Sequence, residues 1–153
     1  VTVSVAEGSN YKYEGTRTIV VTVSKITTKR GDIIADPDNS DYIKVYTSET
    51  TGYRISKKDT QNNVQWSNNS SWGTKAQWQE IFKVCGGNDS SGCSVLNEQV
   101  KAAGIDGWTP MSGRYWSCTL YYKDDAWAFN QYGWGNGFEG LKSNVRTVEA
   151  FTD

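Results

Sequence analysis

The sequence predicts an α+β fold: two short helices against a twisted antiparallel sheet, preceded by a small all-β unit. Three observations carry this expectation. Residues 1–60 show two-residue alternation and β-branched runs with no helical period. Residues 74–103 hold two stretches with helical spacing, each stopped by glycine, and after Gly107 the strand pattern returns. At 153 residues the chain can bury one core of medium size and carry a small appendage. The expected division is a β unit over 1–60 and a second domain over 61–153.

In the first part, Val1-Thr2-Val3-Ser4-Val5, Thr18 to Ser24 and Tyr42 to Thr47 read as strands. Asp36-Pro37-Asp38-Asn39-Ser40 reads as a turn, its proline presetting the backbone. Asp36, Asp38, Asn39 and Asp41 are also spaced like oxygen ligands, but the terminal glutamate of a calcium loop is missing, so a turn is the expectation. These strands are too few to close a sandwich, and a small sheet alone is marginal in water. The unit is therefore expected to pack on the rest of the chain, to make pilus or oligomer contacts, or to belong to a larger domain. Residues 61–73 read as a polar link carrying Trp66 and Trp72.

A helix is expected over 74–84, with Thr74 as N-cap and Trp78, Ile81, Phe82 and Cys85 on one face. A second is expected over 94–103, with Ser94 as cap and Leu96, Val100 and Ala103 inward. Three strands follow: Tyr115–Thr119, Ala126–Asn130 and Val145–Phe151. The segment Gly133-Trp134-Gly135-Asn136-Gly137 reads as a glycine-rich connection. Trp72, Trp78, Trp116 and Trp127, with Phe82, Leu96, Val145 and Val148, are the expected core. Arg146, set between Val145 and Val148, reads as a structural arginine bonded to carbonyls or a carboxylate.

Composition excludes several chemistries. The chain has no histidine, which removes the usual general base and the commonest metal ligand. Net charge is −1, with nine Lys/Arg and eight Asp/Glu in 1–60 against seven and nine in 61–153. No basic stripe is present to meet phosphates, so nucleic acid is not an expected partner. No apolar run approaches the roughly 20 residues that span a bilayer, so direct membrane insertion is not expected. Cys85 and Cys93 bracket a Gly/Asn/Ser loop; they are either a disulfide staple or two buried thiols near helix ends, and Cys118 is odd. The sequence opens at Val1 without a leader from which export could be argued.

Four motifs occur in fixed order: Trp72-Gly73-Thr74-Lys75-Ala76-Gln77-Trp78, Gly113-Arg114-Tyr115-Trp116-Ser117-Cys118-Thr119, Ala126-Trp127, and Val145-Arg146-Thr147-Val148-Glu149-Ala150-Phe151. In this order, residues 72–151 resemble the C-type-lectin-like domains related to formylglycine-generating enzymes. The resemblance is to the gut-bacterial surface-protein branch, which includes retroelement-diversified variable proteins and pilus-tip adhesins. It implies a C-type-lectin-like fold, display at the cell surface or outside the cell, and a protein or glycan partner on another cell or assembly. Cys118 stands where the branch commonly has serine. The Trp-Asn-Asp and Glu/Gln-Pro-Asn/Asp triplets that hold calcium in sugar-binding C-type lectins do not occur, so no metal and no cofactor is expected. Cysteine-oxidising relatives use a second thiol near Cys118, but Lys123 occupies the position five residues on; the expectation is a protein that is not an enzyme.

Within this frame, Leu120-Tyr121-Tyr122-Lys123-Asp124-Asp125 and Gln131-Tyr132-Gly133-Trp134-Gly135-Asn136-Gly137-Phe138 follow no period. They mix bulky aromatics with charges, as recognition loops on rigid scaffolds do. Leu120, Tyr121, Tyr122, Lys123, Asp124, Asp125, Gln131, Tyr132, Trp134, Asn136 and Phe138 are the expected ligand-binding residues, with the aromatics gathered into one exposed centre. The stretch also corresponds to the variable positions of the retroelement-diversified members. Asp124 and Asp125 are adjacent, so on a strand end they point to opposite faces and do not form an acid/base or calcium pair. The expected function is surface-displayed adhesion through this surface; a pilus-tip or pilin-associated subunit is the alternative, and an oxidase relative the remote one.

Overall fold

The computed structural model describes residues 27–138 and 140–153. The strands expected at Val1–Val5 and Thr18–Ser24 lie outside the described residues. The elements are β1 (Ile33–Ala35), β2 (Tyr42–Tyr46), β3 (Thr51–Ser56), β4 (Gln61–Gln65), a 3-10 turn (Ser70–Trp72), α1 (Lys75–Val84), α2 (Gly92–Ala102), β5 (Tyr115–Tyr122), β6 (Asp125–Asn130), β7 (Gly133–Gly137), β8 (Lys142–Val145) and β9 (Val148–Thr152). The described residues are thus mixed α+β, with two helices and two sheets. None of its described helices is long and apolar enough to cross a membrane.

The first sheet runs β1-β2-β3-β9, all antiparallel. The turn between β1 and β2 forms as its composition predicts. Asp36 accepts from the Asp38 N–H, Asn39 accepts from the Asp41 N–H, and Arg54 ion-pairs with Asp36 and Asp38. Ile43, Val45 and Ile55 project inward and are fully buried against Trp78, Ile81, Phe82, Leu96 and Val100 of the helices. Strand β9 pairs with β3 and is the last described strand of this sheet. The described part of the 1–60 unit therefore shares one sheet and one core with residues 61–153.

Helix α1 starts as its sequence dictates. The Thr74 hydroxyl accepts from the Gln77 N–H and the Gln77 side chain accepts from the Thr74 N–H, a reciprocal capping box. Helix α2 begins earlier than expected, at Gly92, so Ser94 lies inside it and Ser91 is the N-cap without a side-chain cap bond. Glycine at position 92 lets the helices meet: a Cβ there would fall 2.1 Å from Cγ of Phe82. All three cysteines are free. Cys85 ends α1 and Cys93 opens α2, both inside the main core, so the second of the two cysteine readings is the one observed.

The second sheet runs β4-β8-β5-β6-β7. It corrects the sequence expectation in four places. Residues 61–65 form a strand inside the supposed link, at the edge of the sheet among the described residues, with its register to β8 shifting between Gln61 and Val64. The expected strand Val145–Phe151 is two: β8 pairs in this sheet and β9 in the other, because the chain crosses between sheets at Arg146-Thr147. The sheet is not wholly antiparallel, since β5 and β8 meet in parallel at Tyr115 and Asn144. The glycine-rich connection 133–137 is strand β7, paired without interruption from Ala126–Gly137 to Asn130–Gly133. Its glycines hid it, since strands are ordinarily poor in glycine. One of them is required: a Cβ on Gly137 would sit 1.9 Å from the Trp116 ring.

The tryptophans act as pins between distant segments. Trp78 donates its indole N–H to the carbonyl of Trp72, Trp116 to that of Val64, and Trp66 to that of Ser117. Trp108 donates to Asn97, whose side chain also holds both backbone groups of Met111. These bonds satisfy indole donors that burial would otherwise leave costly. Trp72, Trp78 and Trp116 are core, as expected; Trp127 is not, and is only partly covered.

Two outcomes test this packing. Gly92→Ala improves helix propensity yet should lose about 1–3 kcal/mol in urea unfolding, because Phe82 is a core ring with nowhere to move. Burial pushes the thiols of Cys85 and Cys93 from their ordinary value of 9.0 up to about 12. Iodoacetamide at pH 8 should therefore label Cys118 alone in the native protein and all three cysteines in urea, read by mass spectrometry. Because the folded thiols hold protons that the unfolded ones release, their contribution to stability is complete below pH 9 and is lost between pH 9 and 12.

Candidate ligand-binding surface

Residues 115–138 build an antiparallel three-stranded unit whose two faces differ in kind. Cross-strand partners share a face. Trp116 opposite Ala128, and Ala126 opposite Gly137, lie on one face, where Trp72, Trp66 and Val64 cover them. Tyr115 opposite Phe129, Phe129 opposite Trp134 and Trp127 opposite Asn136 lie on the other. This second face starts under α1 and runs out beyond its N-terminus.

The aromatics of the second face form an unbroken series from core to solvent. Phe129 touches Trp78, Phe82 and Tyr115 with centroid separations of 4.8, 5.3 and 5.8 Å. Trp134 follows at 5.0 Å from Phe129, Trp127 at 6.3 Å from Trp134, and Tyr121 at 4.6 Å from Trp127. The loop before α2 fixes Trp134 in place: Asp89 accepts from its indole N–H at 3.1 Å and from the Gln79 amide at 3.1 Å. A half-exposed ring is thereby held by a hydrogen bond as well as by packing.

Each expected site residue can be placed on this scaffold. Leu120, Tyr121 and Tyr122 end β5, Lys123 and Asp124 make the turn, and Asp125 opens β6. Lys123 takes a left-handed φ of 50°, and its ammonium lies 5.3 Å from the centre of the Tyr122 ring. Gln131 and Tyr132 form the turn between β6 and β7, where the Tyr132 N–H donates to the Asn130 side chain. Trp134 and Asn136 stand on β7, and Phe138 follows it. Leu120, Tyr121, Tyr122, Tyr132 and Phe138 are 52%, 50%, 64%, 78% and 60% exposed.

These residues do not gather into one aromatic centre. The six residues of β6 separate the Tyr122 turn from the Tyr132 turn by roughly 20 Å at 3.3 Å per residue. Tyr121, Tyr122, Lys123, Asp124, Asp125 and Phe138 belong to one end of the unit, and Gln131 and Tyr132 to the other. Trp134 and Asn136 lie between. A shallow groove lined by Arg114, Asn130, Tyr132, Gly133 and Gly135 flanks the second end.

Two residues of this face were not among the expected ones. Trp127, assigned to the core, is instead the middle of the exposed series, because Ala126 and Ala128 are the residues of β6 that face Trp116 and the covered side. Lys75, the first residue of α1, lays its ammonium 3.2 Å from the centre of the Trp127 ring and 5.4 Å from that of Trp134. A lysine at a helix start opposes the helix dipole, and that misplacement was the available signal in the sequence. Among the described residues no three acidic or thiol side chains are grouped to hold a metal ion, and Asp124 and Asp125 fall on a turn and a strand end. No family model, curated protein or solved structure matches this chain.

Proposed function

We propose that this chain is a non-enzymatic binding domain of C-type-lectin-like architecture, displayed at the cell surface or outside the cell, that adheres to a macromolecule through residues 120–138. The observation that supports it is the distribution of exposed hydrophobics. Among the described residues, the strongly exposed large ones are Leu120, Tyr121, Tyr122, Tyr132 and Phe138, all within 19 consecutive positions of one hairpin system. Such a concentration marks a contact surface, since stray exposed hydrophobics are ordinarily scattered. Tyrosines supply much contact area with few rotatable bonds.

The shape of the surface favours a large partner. Its exposed rings crown both ends of β6, so a small metabolite would reach one end alone. A protein or a glycan chain reaches both. The framework beneath is rigid, with Trp116, Ala126, Ala128 and Gly137 interlocked on the covered side, so exposed positions can differ without disturbing the core. That arrangement suits the sequence diversification that the resemblance implies.

Screening a glycan microarray and a displayed library of extracellular proteins provides the test. Tyr122→Ala and Tyr132→Ala should each weaken the ligand found, and together they should cost about 2–4 kcal/mol of binding with little change in melting temperature. A ligand that senses neither variant, or only one of them, would place recognition elsewhere or make it a small-molecule event.

A further inference from the structure

The corner formed by Tyr121, Trp127 and Trp134 has a geometry beyond simple exposure. The Trp127 ring stands at 84° to Tyr121 and at 82° to Trp134, so it meets both neighbours edge to face. Such an arrangement brings aromatic faces and edges together beside the first turn of α1. The electron-rich faces attract cations, and tryptophan does so most strongly. The corner already holds a cation: the ammonium of Lys75, 3.2 Å from the Trp127 centroid.

Lys75 has no carboxylate within ion-pair distance among the described residues. It occupies the first turn of α1, which contains no acidic residue and where positive charge opposes the dipole. Its backbone N–H is fixed by the Thr119 hydroxyl, which sets the side chain's root beside the corner. The aromatic attraction therefore offsets an unfavourable dipole and stands in for a counter-ion, which no described residue supplies. A lysine on a flexible stem, tied to no described carboxylate, can leave for water at small cost, and the rings then remain as a preformed site.

We infer that this corner is a recognition site for an alkylammonium group, and that Lys75 is its resident, displaceable occupant. The inference rests on the hairpin being a ligand surface, and it names the chemistry that one part of that surface selects. Asp125 and Asn136, side by side at the rim, supply polar contacts to whatever bears the ammonium. A quaternary ammonium suits the site better than a primary one, because it is weakly hydrated and gives up less on entering an aromatic corner. Two sources share this chemistry, a quaternary head group and the lysine side chain of a partner protein.

The test uses the intact chain with ¹⁵N-labelled tryptophan. Tetramethylammonium chloride and N-acetyl-lysine methylamide are titrated separately against sodium chloride of equal concentration. In the wild type, the Trp127 and Trp134 indole signals should shift with tetramethylammonium, while those of the buried Trp78 and Trp116 stay still. Lys75→Met keeps the stem and removes the competitor, and should bind at least tenfold more tightly. Adding Trp127→Leu should abolish the response; should that variant not fold, Trp127→Phe should weaken binding severalfold. Response to tetramethylammonium alone assigns the site to quaternary groups, and response to both probes assigns it to partner lysines. Equal affinity in wild type and Lys75→Met, or undiminished binding without Trp127, would overturn the inference. Tyr122 and Tyr132 lie outside the corner, so the adhesive reading stands or falls separately.

Discussion

One buried guanidinium joins the parts of this molecule. Arg146 is wholly buried where the chain leaves β8 in one sheet to become β9 in the other. Its Nε donates to Asp59 at 2.7 Å, and its two terminal nitrogens donate to the carbonyls of Ser56 and Thr109. Its Cζ lies over the Trp108 ring, 4.5 Å from the centroid. Four segments thus meet on one side chain: the end of β3, the loop before β4, the crossover itself and the loop that leads to β5. Only a planar fork with several donors fits such a set of acceptors.

The same junction reaches the candidate surface through a short series of contacts. Asp59, held by Arg146, also accepts from the Tyr115 hydroxyl at 3.0 Å. Tyr115 opens β5 and stacks on Phe129, which carries Trp134 and through it the exposed corner. The hairpin that bears the exposed tyrosines is therefore anchored at its inner end by a charge network and along its length by aromatic packing. Rigidity of that kind is what makes an exposed aromatic useful, since little ordering remains to be done when a partner arrives.

The legible parts of the fold were those where local chemistry and tertiary packing agree. Thr74 and Gln77 announce the start of α1, and Trp78, Ile81 and Phe82 give its buried face, because capping and periodicity act within a few residues. The structural role of Arg146 was readable from its place between Val145 and Val148. Its partners were not: Asp59 and Thr109 are distant in sequence and met only through topology. Strand β7 was hidden by its three glycines, of which Gly137 answers to the Trp116 ring and Gly133 to a positive φ rather than to strand propensity. For the site, exposure of the aromatic segments was readable from their mixture of rings and charges. Their separation to two ends of β6, and the recruitment of Trp127 and Lys75, followed from strand register. A slip of one residue would reverse which of Ala126 and Trp127 faces solvent, and no local signal fixes that choice.

The central claim is that Arg146 couples the two sheets, and urea unfolding of Arg146→Met and Arg146→Lys tests it most directly. Loss of the guanidinium leaves Asp59 and two buried carbonyls without their donor, so the methionine variant should lose about 3 kcal/mol. Lysine keeps the charge but not the fork, and should recover no more than about 1 kcal/mol of that loss. A methionine variant within about 0.5 kcal/mol of wild type, or a lysine variant as stable as wild type, would contradict the claim.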